Sequence, residues 1–573
     1  MKTKYLSFAV LLLAVFLFLL TSFSGRYLHF CYTSVSYYCV FTLFIFWAVL
    51  MVNYAHRKEA DLPSLLKRFG GGFAFSLLIA VVIFVSAKPY FRVLSDEANL
   101  LSVSKSMVYE KTIDNVTMGS YYFFNYHPIS RVEPIRPLLF PFLGSLVHTL
   151  SGYRPGNLFV VNFLLLLALF CGVYAFLSKY VSPATGLAGV LFVAAQPVLA
   201  QAAASAGFDL LFVVFAFICF ICLYLFLKDP DRETFQLLWV NLLMLANTRY
   251  EAPLYLLVVT GLLLLYKKIK PGYFGGLLFY ATPFVMLPVF WQRISVNLIP
   301  EAFSEGGYLS VAQLIRHSMY FMRSLVDIHY YFPYATVLNV TGVIAAVYFF
   351  YQMARDKWPG VEPFKQLAWT TLACFSCYWL VVSSFFAGDP LYPSTSRYFG
   401  LAAFALSLLS AVFISRLRLI KENGALAVAA GAVMFLIYNP LTVENRFSNV
   451  QYLTREYRYE TDFLKKQGSK NIMIISERPV HFTVLDYGSV NFQYARQEQN
   501  ELLGNLERHL FEHIYVFQSI DYNTRAPLPE DALPAGFIMR TISQLQNSSD
   551  NFIRISEVER YQGVMLPSPP AKQ

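Results

Sequence analysis

The chain has 573 residues, of which 57% are hydrophobic and only 14% charged, against roughly 25% charged in soluble proteins. Residues 1–440 carry 31 Lys/Arg and 19 Asp/Glu, while residues 441–573 carry 14 and 16. This excludes a row of soluble domains and places the net charge of +10 in a membrane-embedded part, where basic loops orient helices and do not signal nucleic acid.

A spanning helix needs about 20 mostly apolar residues. About 13 runs qualify: 5–22, 31–53, 70–88, 157–177, 184–203, 208–227, 235–249, 252–266, 273–291, 335–353, 367–387, 398–415 and 424–440. The first follows Lys2 and Lys4 and reads as an uncleaved anchor, since no small-x-small cleavage site stands out. With the N-terminus in the cytoplasm, every inside loop is basic, including Arg57/Lys58, Lys179, Lys267/Lys268 and Arg416/Arg418, as the positive-inside rule requires. The opposite face receives two long segments, 89–156 and 292–334, and the whole tail. Short interfacial helices are expected at 97–110 and 137–151.

Three regions follow: residues 1–69 with two leading helices and a cytoplasmic loop, a membrane domain over 70–440, and an extracytoplasmic soluble domain over 441–573. In the tail, helix patterns at 456–467 and 501–510 alternate with strand patterns at 471–476 and 513–518, and later strands are expected near 537–542 and 552–557. That alternation predicts a small α/β domain. The fold class is thus an α-helical polytopic membrane protein with a small C-terminal α/β soluble domain.

The chemistry concentrates at ends of spans on the non-cytoplasmic face. Asp96 and Glu97 follow the third span. One could take a proton from a nucleophile while the other orients it, or Asp96 could simply cap a helix. Asp209 opens a span and could cap it in the same way. Arg249 and Glu251 flank a tight turn, and Arg397 opens a late span, where it could also be a headgroup anchor. His127 and His148 lack metal-ligand spacing and read as structural, as do Asp229 and Asp231 in a cytoplasmic turn. The seven cysteines lie in apolar runs and read as small core residues.

The segment Ser95-Asp96-Glu97-Ala98-Asn99-Leu100 resembles the first outer loop of the GT-C membrane glycosyltransferases. Arg136-Pro137-Leu138-Leu139-Phe140-Pro141, then Ser151-Gly152-Tyr153 and the span with Asn162, are similar to the Pro-Leu-aromatic helix and G-Y turn of the protein O-mannosyltransferase and aminoarabinose (lipid A) transferase branch. Asp209, the run Asn247-Thr248-Arg249-Tyr250-Glu251, and Arg397-Tyr398 follow in the same order over residues 70–440. Two features differ from the pattern: the acidic pair follows the third span where the family has it after the first, and no family motif lies between Asp96 and Arg136.

The resemblance implies transfer of a sugar from a polyprenyl phosphate carrier to an acceptor at the non-cytoplasmic membrane face. Asp96 would be the general base, with Glu97 supporting it or positioning the acceptor. Arg397, and secondarily Arg249, would hold the donor phosphate, because guanidinium forks match phosphate oxygens. Arg136, Asp209, Glu251 and Tyr398 would line the site or meet the acceptor. No cofactor is assigned, with metal dependence left open because carboxylates near Asp96 could hold a divalent ion, and the partners are the lipid-linked sugar, the bilayer and an acceptor of unassigned class. The location expected from these features is a bacterial inner membrane. The competing reading is a transporter or flippase of a lipid-linked substrate, although charges at helix ends and the lack of a repeat between halves favour the enzyme.

Overall fold

The computed structural model describes residues 25–58, 62–92, 94–122, 125–274, 276–297, 310–326, 335–355, 361–385, 388–391, 393–443, 452–546 and 551–559. It divides into two compact units, one of Met1–Ile113 with Glu133–Phe447 and one of Asp114–Val132 with Ser448–Gln573. The first expected span, 5–22, lies outside the described residues.

The first unit is helical. Its principal helices are α1 (Gly25–Arg57), α2 (Leu62–Ala87), α3 (Leu94–Tyr109), α4 (Leu139–Ser151), α5 (Asn157–Tyr180), α6 (Pro183–Ala194), α7 (Pro197–Ala203) and α8 (Asp209–Lys228). They continue as α9 (Arg232–Ala246), α10 (Pro253–Leu265), α11 (Leu277–Asn297), α12 (Val311–Val326), α13 (Thr336–Ala354), α14 (Val361–Ser384), α15 (Gly400–Ile414) and α16 (Gly424–Val443). Among the described residues, eight helices are long and apolar enough to cross a membrane, or nine if the bent pair α6–α7 is one span. The short interfacial helices expected in the first long loop correspond to α3 and α4.

Local sequence explains the breaks that matter. The run expected as one span over 184–203 bends by 78° between α6 and α7. Pro197 bars its predecessor from helical geometry, and Gln196 is extended at φ −83, ψ 107. The short α7 then ends in a turn that delivers Asp209 into the first turn of α8. Asn162 of α5 fixes that turn, its amide donating to the carbonyls of Ser205 at 2.7 Å and Gly207 at 2.9 Å. Pro283 and Pro288 lie inside α11, where each removes a backbone donor and disfavours a straight course.

The second unit is built on one seven-stranded sheet of order β2-β1-β4-β3-β5-β7-β6. Strands β3 (Ile472–Ile475), β4 (Gly488–Val490) and β5 (His513–Asp521) run parallel, with Ile474 opposite Ser489 and Tyr515. Strands β6 (Met539–Gln546) and β7 (Asn551–Val558) extend it antiparallel beyond β5. Helices α17 (Tyr452–Gln467), α18 (Phe492–Gln497) and α19 (Gln499–Glu507) complete the α/β pattern. All four residues of β3 are buried, as expected of a central parallel strand covered on both sides. Met473 and Ile475 enter one core cluster with Phe511 and Val516, while Ile472 and Ile474 enter another with Phe482 and Tyr515.

The other edge of the sheet comes from the first long loop. Strands β1 (Asn115–Tyr122) and β2 (Asn125–Val132) form an antiparallel hairpin, and Gly119 of β1 pairs with Ser489 of β4. The phenol of Tyr121 donates to Asp486 at 2.7 Å on the same side. The stretch without a family motif between Asp96 and Arg136 thus holds the rest of α3 and a strand pair belonging to the sheet of the second unit.

Candidate active site

Six ionised side chains in the first unit form one chain of alternating charge. Arg136, just before α4, donates from Nε to Oδ1 of Asp96 at 2.7 Å. The other Asp96 oxygen accepts from Arg397. Arg397 also reaches Asp209 at 3.2 Å, and Asp209 in turn holds Arg249. Arg249 closes the series on Glu251 at 3.2 Å. Sequence distances between successive members run from 2 to 301 residues, so only the tertiary fold assembles them.

Each side chain is delivered by an element end. Asp96 sits in the first turn of α3, where the helix dipole also favours a carboxylate. Asp209 opens α8, yet the residue at the cap is Phe208, without a side-chain capping bond. Both Asp209 oxygens therefore serve Arg249 and Arg397 rather than the helix. Arg397 begins a single 3-10 turn that runs into α15. Its side chain is only 15% exposed and its guanidinium is held by two carboxylates, unlike a headgroup anchor, which keeps its charge in water.

Burial by itself pushes the Asp96 carboxyl up, but the charges and hydrogen bonds of Arg397 and Arg136 outweigh it and hold it at about 2. Asp96 is therefore a carboxylate at any ordinary pH, with both oxygens engaged. Glu97 is turned to a different task. It is 1% exposed, with one oxygen accepting the Ala206 N–H at 2.9 Å and the other the Arg92 N–H. It thereby ties the start of α3 to the turn that carries Asp209.

Arg249 lies deeper than Arg397. Its side chain is 2% exposed, and its guanidinium carbon stands 4.6 Å from the Tyr398 ring centroid, 5.6 Å from that of Phe208 and 5.7 Å from that of Phe212. Tyr398 is thus a wall for Arg249, and its own carbonyl accepts from the Tyr378 phenol at 2.5 Å. Asp209 and Glu251 hold its polar edge and three rings surround it, so Arg249 is almost fully enclosed.

The sequence reading missed Tyr250. Its phenol accepts from Arg136 at 3.0 Å and donates to the Ile135 carbonyl, fixing Arg136 against Asp96. Arg293 of α11 donates to the Tyr250 carbonyl and lies 5.7 Å from its ring. The available signal was a tyrosine between two charged residues at a helix break. Arg293 carried less, since it stood where an apolar run gave way to a loop.

The remaining sequence candidates lie apart from this cluster. Asp231 caps α9, accepting the Thr234 N–H at 2.7 Å, as a turn residue should. His148 is buried, 2.9 Å from the Asn157 amide. All seven cysteines are free thiols. Among the described residues, no group of three or more His, Cys, Asp or Glu side chains is arranged to hold a metal ion.

No family model and no curated protein matches the sequence. Among solved structures the chain is similar to ArnT from Cupriavidus metallidurans. The crystal structure of ArnT bound to undecaprenyl phosphate aligns with TM-score 0.51 at 12% identity, covering 85% of this chain and 98% of that one. The apo crystal structure aligns with TM-score 0.54 at 13% identity, with the same coverage. The likeness is one of fold: the chain shares the helical fold of ArnT and carries a strand-containing C-terminal domain.

Proposed function

We propose that this protein is an integral membrane glycosyltransferase of GT-C type, moving a sugar from a polyprenyl phosphate carrier to an acceptor at the non-cytoplasmic membrane face. The observation that carries the reading is the ion-pair chain through Arg136, Asp96, Arg397 and Asp209, on a fold shared with a protein crystallised with undecaprenyl phosphate.

Arg397 is the group for the donor phosphate. It is reachable, it carries a planar fork, and its present partners are carboxylates that a phosphate can replace. A phosphate that takes Arg397 from Asp96 removes one of the two cations that suppress the basicity of that carboxylate. Donor binding therefore prepares the base. Asp96 then accepts the proton of an acceptor O–H or N–H as its oxygen or nitrogen attacks the anomeric carbon. The bond from that carbon to the phosphate oxygen breaks, configuration inverts, and the phosphate leaves as an anion on Arg397.

Arg136 orients Asp96, and Tyr250 orients Arg136. Arg249 acts through Asp209, fixing the carboxylate that aims Arg397, and Glu251 balances its charge. Glu97 holds the frame that keeps Asp96 and Asp209 in register.

Transfer from a panel of radiolabelled polyprenyl phosphate sugars into a membrane extract tests the reading. Asp96→Asn should reduce transfer about 10²–10⁴-fold, the usual worth of a general base, while the donor still binds. Arg397→Ala should weaken donor binding as well. Equal transfer by Asp96→Asn and wild type would remove Asp96 as the base. Donor binding without transfer from any sugar would favour a flippase.

A further inference from the structure

The bend between α6 and α7 has a polar residue at its corner. Gln196 is 0% exposed, as is Asn339 of α13. The Gln196 amide nitrogen donates to Ser407 Oγ at 2.9 Å, to Asn339 Oδ1 at 3.2 Å and to the Ala403 carbonyl at 3.3 Å. A backbone carbonyl can only accept, so the Ala403 contact fixes the amide with its nitrogen on that side. Ser407 itself donates to the Ala403 carbonyl at 2.9 Å. One side chain thus joins the broken span to both α13 and α15.

These bonds are not the most stable way to join three helices. Gln196 Oε1 and Asn339 Nδ2 are buried and have no hydrogen-bond partner among the described residues, and a half-satisfied polar network is less stable than apolar side chains of the same shape. What directed bonds supply is a single register, because they select one rotation of α15 against the break. Register matters here. Ser410 of α15 donates to the Leu338 carbonyl of α13 at 2.9 Å, so the amide grips a helix pair that is already tied together. A Cβ added to Gly400, the first residue of α15, would stand 3.6 Å from the Leu199 side chain of α7. Beyond the break, α7 leads to the turn that presents Asp209, while α15 is entered through Arg397. The Arg397–Asp209 contact at 3.2 Å therefore spans two elements that the Gln196 amide also links.

We infer that Gln196 is a positioning residue for donor binding: by fixing the α6–α7 break to α15, it holds Arg397 where its guanidinium meets the donor phosphate. The inference rests on the transferase reading above and extends the site to a residue outside the ion-pair chain.

The test is a double-mutant cycle read as affinity for undecaprenyl phosphate, titrated into the full-length protein in detergent. Gln196→Leu, which keeps the bulk and removes the amide, should weaken binding about tenfold, within the range of couplings inside one hydrogen-bonded network. In an Arg397→Ala background the same substitution should leave the affinity unchanged, because no guanidinium remains to be positioned. A purely structural link would lower the melting temperature and leave the affinity of the folded protein as it was, or weaken binding equally with and without Arg397. Either result would overturn the inference. Ser407→Ala removes one acceptor and keeps the amide, so it should give a smaller weakening with the same dependence on Arg397. It carries the cycle if Gln196→Leu does not fold, and unaltered affinity in it would then overturn the inference. Wild type that fails to bind undecaprenyl phosphate, or Arg397→Ala that binds it as tightly as wild type, would instead remove the donor-binding reading of Arg397, and this inference with it.

Discussion

At the scale of single residues, the site is an arrangement of charges that satisfy one another before any substrate arrives. Removing one member of a buried pair typically costs about 3–5 kcal/mol, because its partner is left charged and unpaired. Arg249, with a 2% exposed side chain, should be the least replaceable. Arg249→Ala should lower thermal stability by several kcal/mol in a melting experiment, whereas Arg136→Ala, at a 23% exposed side chain, should cost less. A larger loss at Arg136 would mean that the enclosed end of the chain is not its anchor. The depressed Asp96 carboxyl also fixes a pH sign. It sits at about 2, below the ordinary carboxylate value of about 4, so its ion pairing stabilises the fold above pH 4 and is lost only as pH falls through 2. Between pH 5 and 8 the free enzyme should then show no ionisation of Asp96 in kcat/KM. An acid limb near pH 5 that vanishes in Asp96→Asn would contradict this.

Among elements, legibility followed how local the cause was. Helices α3 and α4 and strands β3 and β5 lay close to where periodicity placed them, because each carries its own apolar pattern and boundary residues. The break between α6 and α7 was missed, although Pro197 marks it, because the run on either side is uniformly apolar and reads as one span. The hairpin of β1 and β2 is rich in aromatic and β-branched residues, yet its partner Ser489 lies about 370 residues away along the chain, and no local pattern encodes that pairing. The eight residues chosen as site members came from a resemblance in order, and six of them lie in one ion-pair chain; Tyr250, inside the matched run from Asn247 to Glu251, was passed over. In the soluble unit, helix α17 carries a buried acid that the sequence also left unremarked. Glu460 is pushed well up by burial and by Glu456 and Asp531, against Arg478. Asp531 is raised to about 6 by burial and by Glu477 and Glu530, opposed by the Ser519 N–H and Arg478. Both acids hold protons more tightly folded than unfolded, so the stability they contribute is fully present below about pH 4 and is lost as pH rises through 6. Backbone amides of α17 should therefore exchange faster at pH 8 than at pH 5, after correction for intrinsic rates, and Glu460→Gln should flatten that difference. An unchanged pH dependence in the variant would assign the effect elsewhere.

For the whole molecule, the proposed reaction requires a definite orientation. A donor phosphate at the headgroup level of the non-cytoplasmic leaflet demands that the end of the bundle bearing Asp96 and Arg397 face that side. Basic residues then mark the opposite end, including Arg57, Lys58, Lys179, Lys267 and Lys268, as the positive-inside rule prescribes. The two ends of α8 illustrate the polarity: Asp209 opens this 20-residue helix at the site and Lys228 closes it, a length of about 30 Å at 1.5 Å per residue, which matches the hydrocarbon core. The proposed topology puts the C-terminal unit on the non-cytoplasmic side of the membrane, with α16 crossing from the basic face. This predicts the outcome of thiol labelling. In a background with the seven cysteines replaced, Glu507→Cys should react with a membrane-impermeant maleimide in right-side-out vesicles, and Lys58→Cys only in inside-out ones. The reverse pattern would place Arg397 at the cytoplasmic face and break the link between the site and a donor presented from outside. Labelling of both positions in the same vesicles would mean that an odd number of crossings between them has been miscounted, and would move the site relative to the tail without disturbing the chain of ion pairs itself.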